Sequence, residues 1–277
     1  MGYGDLWEHQ QISPLIEMST AIVRIATTEG FAVAADGREY DIAKQVVICD
    51  SRQKIFAIEE PDRKLAYSLS GAVSLTRKGT SEVIFDFVPQ INALVRALER
   101  ARLKSLWHYA NALTEGLMRR LEGITETVNE DEHPLVIFFD GFYEGRPKRA
   151  HVKIIPDQRQ GPDVVSDELD YGQPVGIGSI KVLRALLHGK EPALLGSYRG
   201  PFADIRYRST TLPHAVEIAR NAVAAQCDPE ALQIDPQCAG MGGRVHICTL
   251  TFKEGFRWVP GFEPSPPARN LTDWSER

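Results

Sequence analysis

The feature that most constrains this chain is a pair of short apolar segments near its N-terminus. Residues 18–26 (MSTAIVRIA) and 31–38 (FAVAADGR) predict two apolar strands, and residues 27–30 (TTEG) supply the glycine and small polar residues that a tight turn needs. Thr20 stands near the head of the first segment, and Asp36 lies near the end of the second. Because these ends of an antiparallel hairpin lie side by side, we expect the Thr20 hydroxyl beside the Asp36 carboxylate.

This pairing indicates a possible chemical role for Thr20. If the chain were cut before Thr20, this residue would carry a free amine and a hydroxyl beside Asp36, the arrangement of a threonine nucleophile with its own base. Thr20 alone is also an ordinary residue for a strand start, because β-branched side chains favour strands. Asp36 and Gly37 could equally form a turn pair. The hairpin therefore favours neither interpretation by itself.

Composition argues against several classes of protein. With 32 basic and 37 acidic residues the net charge is −5, which speaks against nucleic acid or an anionic membrane as the main partner. The longest apolar runs are far shorter than the roughly 18 to 20 residues of a membrane helix. The first ten residues lack the basic start and apolar stretch of a secretory signal. We therefore expect a cytoplasmic protein that contacts neither nucleic acid nor membrane.

The cysteines and histidines show no pattern typical of a metal site. The four cysteines have no CxxC spacing and lie in or beside apolar segments, which predicts reduced core or loop thiols. The histidines have no metal-ligand spacing. The sequence implies no metal and no cofactor. The cysteines are Cys49, Cys227, Cys238 and Cys248.

Hydrophobic periodicity predicts the element order β, α, β, α, β along the chain. This order favours helical layers outside strands and is not a regular βαβ series. Residues 80–127 have a helical period and predict two long helices packed on a sheet. Residues 189–209 read as an irregular insertion that could contact a neighbouring subunit. Beyond the opening hairpin, strands are predicted at residues 51–58, 64–71, 134–142, 149–155, 245–251 and 256–259, and helices from Ser179 and near Thr211.

Taken together, these motifs resemble the proteasome β-subunits and the bacterial HslV protease, which are N-terminal nucleophile (Ntn) hydrolases. The resemblance covers roughly residues 19–259 in the family's order of elements, and Thr20 and Asp36 stand sixteen positions apart, as the family's nucleophile and aspartate do. The matching segments are residues 19–23 (STAIV), 34–38 (AADGR), 53–58 (QKIFAI), 69–71 (LSG), 139–145 (FDGFYEG), 176–179 (GIGS) and 242–243 (GG).

The resemblance implies the fold and its boundaries. The fold class would be α+β, a four-layer αββα sandwich of two antiparallel sheets flanked by helices. Residues 1–19 would be a leader or propeptide, residues 20–260 the proteasome-like Ntn-hydrolase domain, and residues 261–277 a Pro-rich tail.

The resemblance also implies roles for residues of the opening strands. Thr20 would be the nucleophile and its freed amine the general base, while Lys54 would lower the basicity of this amine and Asp36 would orient Lys54. Physical chemistry supports this, because an alcohol needs a base within reach and a nearby ammonium disfavours protonation of the amine. A backbone amide near Gly71 would form the oxyanion hole, and Arg38 is a possible supporting residue.

The second half of the chain matches the family's pattern less completely. Ser179 matches one serine of the family's hydrogen-bonding set, and it is also a plausible helix N-cap. Cys238–Met241 stands where active members have an aspartate and a serine, so that Asp235 could substitute only if the loop is rearranged. Ser19 also replaces the glycine that usually precedes the nucleophile.

The function implied is that of a threonine endopeptidase. Self-cleavage would remove residues 1–19, and Thr20 would then hydrolyse peptide or unfolded protein inside a homo-oligomeric ring, with an ATP-dependent unfoldase as a possible partner. Two alternatives stay open. One is an unprocessed, noncatalytic assembly subunit of the same fold, and the other is an Ntn hydrolase that acts on a small amide.

Overall fold

The structure is a computed structural model in which the description covers most of the chain between Thr20 and Pro264. The predicted leader lies outside the described residues, and so does the larger part of the predicted tail. The described ranges are 20–41, 45–71, 73–77, 79–80, 82–122, 124, 134–154, 163–167, 169–188, 195–203 and 209–264. No helix in these ranges is long and apolar enough to cross a membrane.

Strands make up much of the described chain. Numbered along the sequence, they are β1 (Ile22–Ala26), β2 (Gly30–Ala35), β3 (Glu39–Asp41), β4 (Val46–Cys49), β5 (Ile55–Glu60), β6 (Arg63–Ser70), β7 (Ser74–Thr76), β8 (Val83–Asp86), β9 (Leu135–Tyr143), β10 (Arg146–Ile154), β11 (Asp163–Asp167), β12 (Pro174–Ile177), β13 (His246–Thr251) and β14 (Gly255–Trp258).

The helices begin at residues suited to capping. Asp86 accepts a hydrogen bond from the Val88 amide at the start of the first helix, and Thr211 accepts one from the His214 amide at the start of the fifth. The helices are α1 (Phe87–Leu98), α2 (Leu106–Glu122), α3 (Ile180–His188), α4 (Gly200–Ala203), α5 (Leu212–Cys227) and α6 (Ala231–Ile234), with 3₁₀ turns at Gly196–Tyr198 and Pro236–Gly240.

The opening hairpin predicted from the sequence is confirmed and lies in the middle of the first sheet. This sheet is antiparallel with the strand order β12-β1-β2-β13-β14. Ile22 lies opposite Ala35, which brings the start of β1 to the end of β2. Gly30 is needed at the turn because a Cβ there would overlap the backbone of Leu250 on β13.

The second sheet is also antiparallel and has the order β11-β10-β9-β6-β5. One of its hairpins joins β9 to β10 through Glu144 and Gly145. Residues of β9 are buried along the whole strand. A strand buried on both faces must be covered by side chains on each side.

Alternating side chains of the two sheets supply separate apolar clusters. One cluster packs the second sheet against α1 and α2, for example Leu69 against Phe87 and Leu113. Another packs the first sheet against α3 and α5. A further cluster combines residues of both sheets, including Ile22 and Val33 of the first with Phe138 of the second. The protein is therefore of the α+β class, with antiparallel sheets packed on each other and against helices.

Several element boundaries differ from the sequence-based prediction. The helical stretch expected from Thr80 begins only at Phe87, because residues 83–86 pair with β7 as strand β8. The predicted insertion 189–209 includes a 3₁₀ turn and the short α4 within its described part. The prediction also missed β3, β4 and β11, which are short strands at sheet edges or in small hairpins whose patterns are too brief to show a period.

Candidate active site

The predicted nucleophile, aspartate and lysine meet where three strands begin or end. Thr20 lies just before β1, Asp36 just after β2 and Lys54 just before β5, so that the site joins the first sheet to the second. The Lys54 Nζ atom is 2.8 Å from Asp36 Oδ1 and 3.5 Å from Thr20 Oγ1. All three side chains are buried, with exposed fractions of 6% for Thr20, 0% for Asp36 and 4% for Lys54.

The Asp36 carboxylate is held by donors from the open end of the hairpin and from the loop before β13. The Ala21 amide donates to Oδ1 at 2.9 Å, and the amides of Arg38 and Gly242 donate to Oδ2 at 3.2 and 3.3 Å. These hydrogen bonds and the Lys54 ammonium replace the hydration that a buried carboxylate loses. These contacts fix the position of the Asp36 carboxylate beside Lys54.

This arrangement suits activation of the Thr20 hydroxyl. The Lys54 ammonium donates to Thr20 Oγ1, which leaves the hydroxyl proton free to go to a base on another side. A positive charge at this position also stabilises the negative charge that develops on oxygen when the hydroxyl attacks a carbonyl. A base on the other side of Thr20 would complete the arrangement of an activated alcohol.

Arg38 connects the aspartate loop to the turn before β13. Its Nε atom is 2.7 Å from Asp50 Oδ1, and Nη1 donates to the Met241 carbonyl at 3.2 Å. Gly242 has a φ of +152° and lies against the guanidinium, so that a Cβ at this position would overlap it. Arg38 thus packs on the glycine whose amide binds Asp36, which places it in the support of the site.

Ser179 and Asp235 form a pair of their own. Ser179 Oγ donates to Asp235 Oδ2 at 2.7 Å and accepts from the Val182 amide at 3.1 Å, so that Ser179 caps the start of α3. The Ser179 amide donates to Gln226 Oε1 at 2.7 Å. Among the described residues, no hydrogen bond joins this pair to Thr20. The contacts described for Ser179 are therefore those of a helix N-cap and of its pairing with Asp235.

Asp235 reaches Ser179 from the loop in which the sequence departs from the family pattern. It caps the 3₁₀ turn Pro236–Gly240 by accepting from the Gln237 amide at 3.3 Å, and Lys181 lies 3.6 Å from its Oδ1 atom. Cys238, in the segment that replaces the family's aspartate and serine, is buried in the same turn. Asp235 thus takes up a position beside Ser179 through the shape of this turn.

Gly71 follows β6 with a φ of +92°. A Cβ at Gly71 would overlap the carbonyl of Pro134, so close backbone packing alone requires a glycine here. No hydrogen bond described for the structure links its amide to Thr20. Its role as an oxyanion donor stays a prediction.

The structure adds residues that the sequence did not indicate. His246, the first residue of β13, is fully buried and lies opposite Ala35, next to Asp36 in sequence. Burial and the charges of Arg244 and Lys54 lower its pKa to about 4, so that the ring is neutral at pH 7. The Gly242 amide was also missed. The glycine pair before β13 was the only sequence signal close to either residue.

Cys227 lies at the end of α5, within the electrostatic reach of the site. Burial and the charge of Asp36 raise the pKa of its thiol, against the opposing effect of Lys54 and Arg38. All four cysteines are free, as the sequence predicts. Within the ranges that the structure describes, no group of three or more His, Cys, Asp or Glu side chains could hold a metal ion.

Comparison with known proteins relates the fold to one group of solved structures. No family model matches the sequence, and the search of curated proteins found no match. Among solved structures, Anbu (ancestral beta-subunit) from Yersinia bercovieri superposes with a TM-score of 0.51 at 13% identity, over 89% of this chain and 88% of that one. The Anbu (Gly-1) mutant from Hyphomicrobium sp. strain MC1 also superposes with a TM-score of 0.51 at 13% identity, over 90% of this chain and 89% of that one.

These matches show a general fold of the proteasome-like type. More particularly, the fold is that of the Anbu proteins, which form a family distinct from the proteasome β-subunits and HslV. The family assignment made from the sequence motifs was therefore wrong. Motifs such as AADGR and GIGS lie at the ends of β2 and β12, where they reflect the strand arrangement, and a fold does not by itself identify a family.

Proposed function

We propose that this chain is an Anbu-like hydrolase subunit in which Thr20, freed by removal of residues 1–19, is the nucleophile. One observation carries the proposal: a buried lysine ammonium contacts both the Thr20 hydroxyl oxygen and the Asp36 carboxylate. A lysine buried beside a carboxylate alone would be a structural ion pair. The hydroxyl as second partner, at the head of a strand, supports a catalytic role.

The proposed reaction is acyl transfer followed by hydrolysis. The freed Thr20 amine takes the hydroxyl proton while Oγ1 attacks the carbonyl carbon of an amide, and the proton then passes to the leaving amine as the C–N bond breaks. Water attacks the resulting ester on Thr20 and releases the carboxylic acid. Throughout, Lys54 would stabilise charge on the Thr20 oxygen and Asp36 would hold Lys54.

The layered arrangement proposed for the domain follows from the apolar clusters. Helices pack on the second sheet in one cluster and on the first sheet in another, and a third cluster combines both sheets. This favours a four-layer αββα sandwich for residues 20–260, with residues 261–277 as a tail. Thr20 would lie at the edge between the two sheets, where a substrate could enter.

The proposed substrate is peptide or unfolded protein. The proposed assembly is a homo-oligomeric ring in the cytoplasm, to which an ATP-dependent unfoldase would deliver the substrate. These proposals derive from the motif resemblance.

The noncatalytic assembly subunit remains the alternative with an observation in its favour, because Ser179 and Asp235 bind each other and no described hydrogen bond joins them to Thr20. A small amide would be hydrolysed by the same residues.

The test begins with the mass of the purified full-length chain. We expect loss of residues 1–19, and this loss should be absent in Thr20→Ala together with all amide hydrolysis. Thr20→Ser is the matched control, because it keeps a hydroxyl and should retain both processing and measurable activity. A chain that keeps residues 1–19 would contradict the proposal and favour the assembly subunit. Light scattering after size exclusion tests the proposed ring separately, and a stable monomer would contradict the ring.

A further inference from the structure

His246 lies between the two sheets, behind the proposed catalytic residues. It shares the face of β13 with Cys248 and Leu250, and both of these pack in the cluster that combines the two sheets. Ile55, the residue after Lys54, packs in the same cluster from the second sheet. Lys54 binds Asp36, and the residue before Asp36, Ala35, lies opposite His246. His246 and Lys54 therefore come to one region from different sheets, and the Lys54 charge acts on the His246 ring.

Two side chains in this region have polar atoms without partners. Neither ring nitrogen of His246 has a hydrogen-bond partner in the described part of the protein, and the same holds for Ser68 Oγ. Ser68 is buried and pairs with Ile55 across β5 and β6, which places it beside Lys54 on the second sheet. Leaving such buried groups unpaired is costly, so each calls for a partner.

Lys54 has the complementary capacity. An ammonium has three N–H donors, and the described contacts use two of them, one to Thr20 and one to Asp36. The neutral His246 ring has one nitrogen that can only accept. Lys54 therefore has a spare donor, the His246 ring has a spare acceptor, and the Ser68 hydroxyl can act as either.

We propose that His246 is a positioning residue for Lys54, acting through a buried water molecule that bridges the Lys54 ammonium, the His246 ring and the Ser68 hydroxyl. Three polar partners are what a buried water requires. The water would use the third donor of Lys54 and thereby fix Nζ between Thr20 and Asp36. A neutral ring suits this task, since a second positive charge would repel the ammonium. The inference rests on the proposed function of Lys54.

The direct test is a crystal structure of the wild-type full chain at a resolution that shows ordered water. We expect a water within about 3.2 Å of both Lys54 Nζ and a His246 ring nitrogen. A region that is dry, with His246 packed only against apolar side chains, would overturn the proposal. This test does not require an active protein. A wild-type protein that hydrolyses nothing would contradict the proposed function, whereas the electron density would still show whether the water is present.

The positioning role is tested with a matched pair of variants. His246→Leu removes the acceptor, and His246→Asn keeps a polar acceptor in a smaller side chain. We expect His246→Leu to lower kcat about tenfold or more with KM within about twofold, because the contact is to the catalytic ammonium and not to substrate. His246→Asn should retain kcat within about threefold. Equal rates in the two variants would overturn the role, and His246→Asn also provides the folded variant if leucine is not tolerated.

Discussion

Two buried clusters of charge lie along the same sheets and have different surroundings. In the first, Lys54 binds Asp36 and Thr20 at the end of the opening hairpin. In the second, Arg24 of the first sheet reaches Asp140 of the second at 3.2 Å, and Arg149 reaches the same carboxylate at 2.6 Å. We call these the lysine cluster and the arginine cluster.

The difference lies in what the cations contact. The guanidinium of Arg24 lies 4.1 Å from the centre of the Phe138 ring and is 3.8 Å from Asp167, so that carboxylates and an aromatic face surround it. The ammonium of Lys54 has a hydroxyl as its second partner. A buried ion pair alone does not indicate chemistry. The hydroxyl beside Lys54 is what distinguishes the lysine cluster and supports the proposed chemistry.

The largest expected effect comes from removing the cation of the lysine cluster. Lys54→Met keeps most of the length of the side chain and removes its charge, so it should lower amide hydrolysis about 10²–10³-fold, the scale of losing a charge-stabilising donor. It should also lower the free energy of unfolding, because Asp36 is left buried with fewer partners. Peptide hydrolysis and urea unfolding measure the two effects.

The control for Lys54→Met is Arg119→Ala. Arg119 is exposed on α2 and pairs with Glu115 at 3.6 Å. An exposed pair of this kind contributes about 0.3–0.5 kcal/mol at most, so both measurements should stay near the wild-type values. Hydrolysis at the wild-type rate in Lys54→Met would remove the distinction between the two clusters.

The second prediction concerns the arginine cluster. Asp140→Asn leaves Arg24 and Arg149 buried without their shared carboxylate, which should lower the free energy of unfolding by about 3–5 kcal/mol. The folded fraction should hydrolyse substrate at the wild-type rate, because Asp140 has no described contact with Thr20. Urea unfolding and the rate per folded molecule are the measurements. A loss of rate without a loss of stability would show that the arginine cluster takes part in the chemistry.

Two of the three residues of the lysine cluster could be predicted from a local pattern. Alternation and turn residues define the opening hairpin, and the hairpin alone places Thr20 near Asp36. Lys54, just before β5, was identified only through the family resemblance, because β3 and β4 separate it from the hairpin. The arginine cluster joins residues 116 positions apart, and nothing local in either segment predicts the contact. His246 was missed for the same reason.

The parts of the fold that could be predicted are likewise those with a local sequence pattern. Long elements with a clear period were predicted from the sequence: β9 was predicted near its observed bounds, and α2 lies within the stretch 80–127 predicted to hold two helices. The short hairpin of β3 and β4 was not, since its strand β4 carries consecutive exposed apolar side chains and shows no alternation. The Ser179–Asp235 contact depends on the path of the turn Pro236–Gly240, which the sequence pattern does not specify.

The smallest expected effect lies at the rim of the arginine cluster and depends on pH. Burial raises the pKa of Asp167, but the hydrogen bond with His151 and the charge of Arg24 outweigh it, so that the pKa lies below its usual value. A carboxylate with a lowered folded-state pKa stabilises the fold above its unfolded value of about 3.9, and this contribution is lost as pH falls through the folded value. We expect less than about 1 kcal/mol, the scale of partly exposed pairs.

Urea unfolding of the wild type and Asp167→Asn between about pH 5 and pH 2 measures this contribution. The two free energies should differ most at pH 5 and approach each other toward pH 2, because the protonated aspartic acid then resembles the amide. Asp140→Asn should behave differently, since its deficit comes from two buried guanidinium groups. A constant difference between wild type and Asp167→Asn across this range would mean that Asp167 acts through packing, and that only the centre of the arginine cluster is electrostatic.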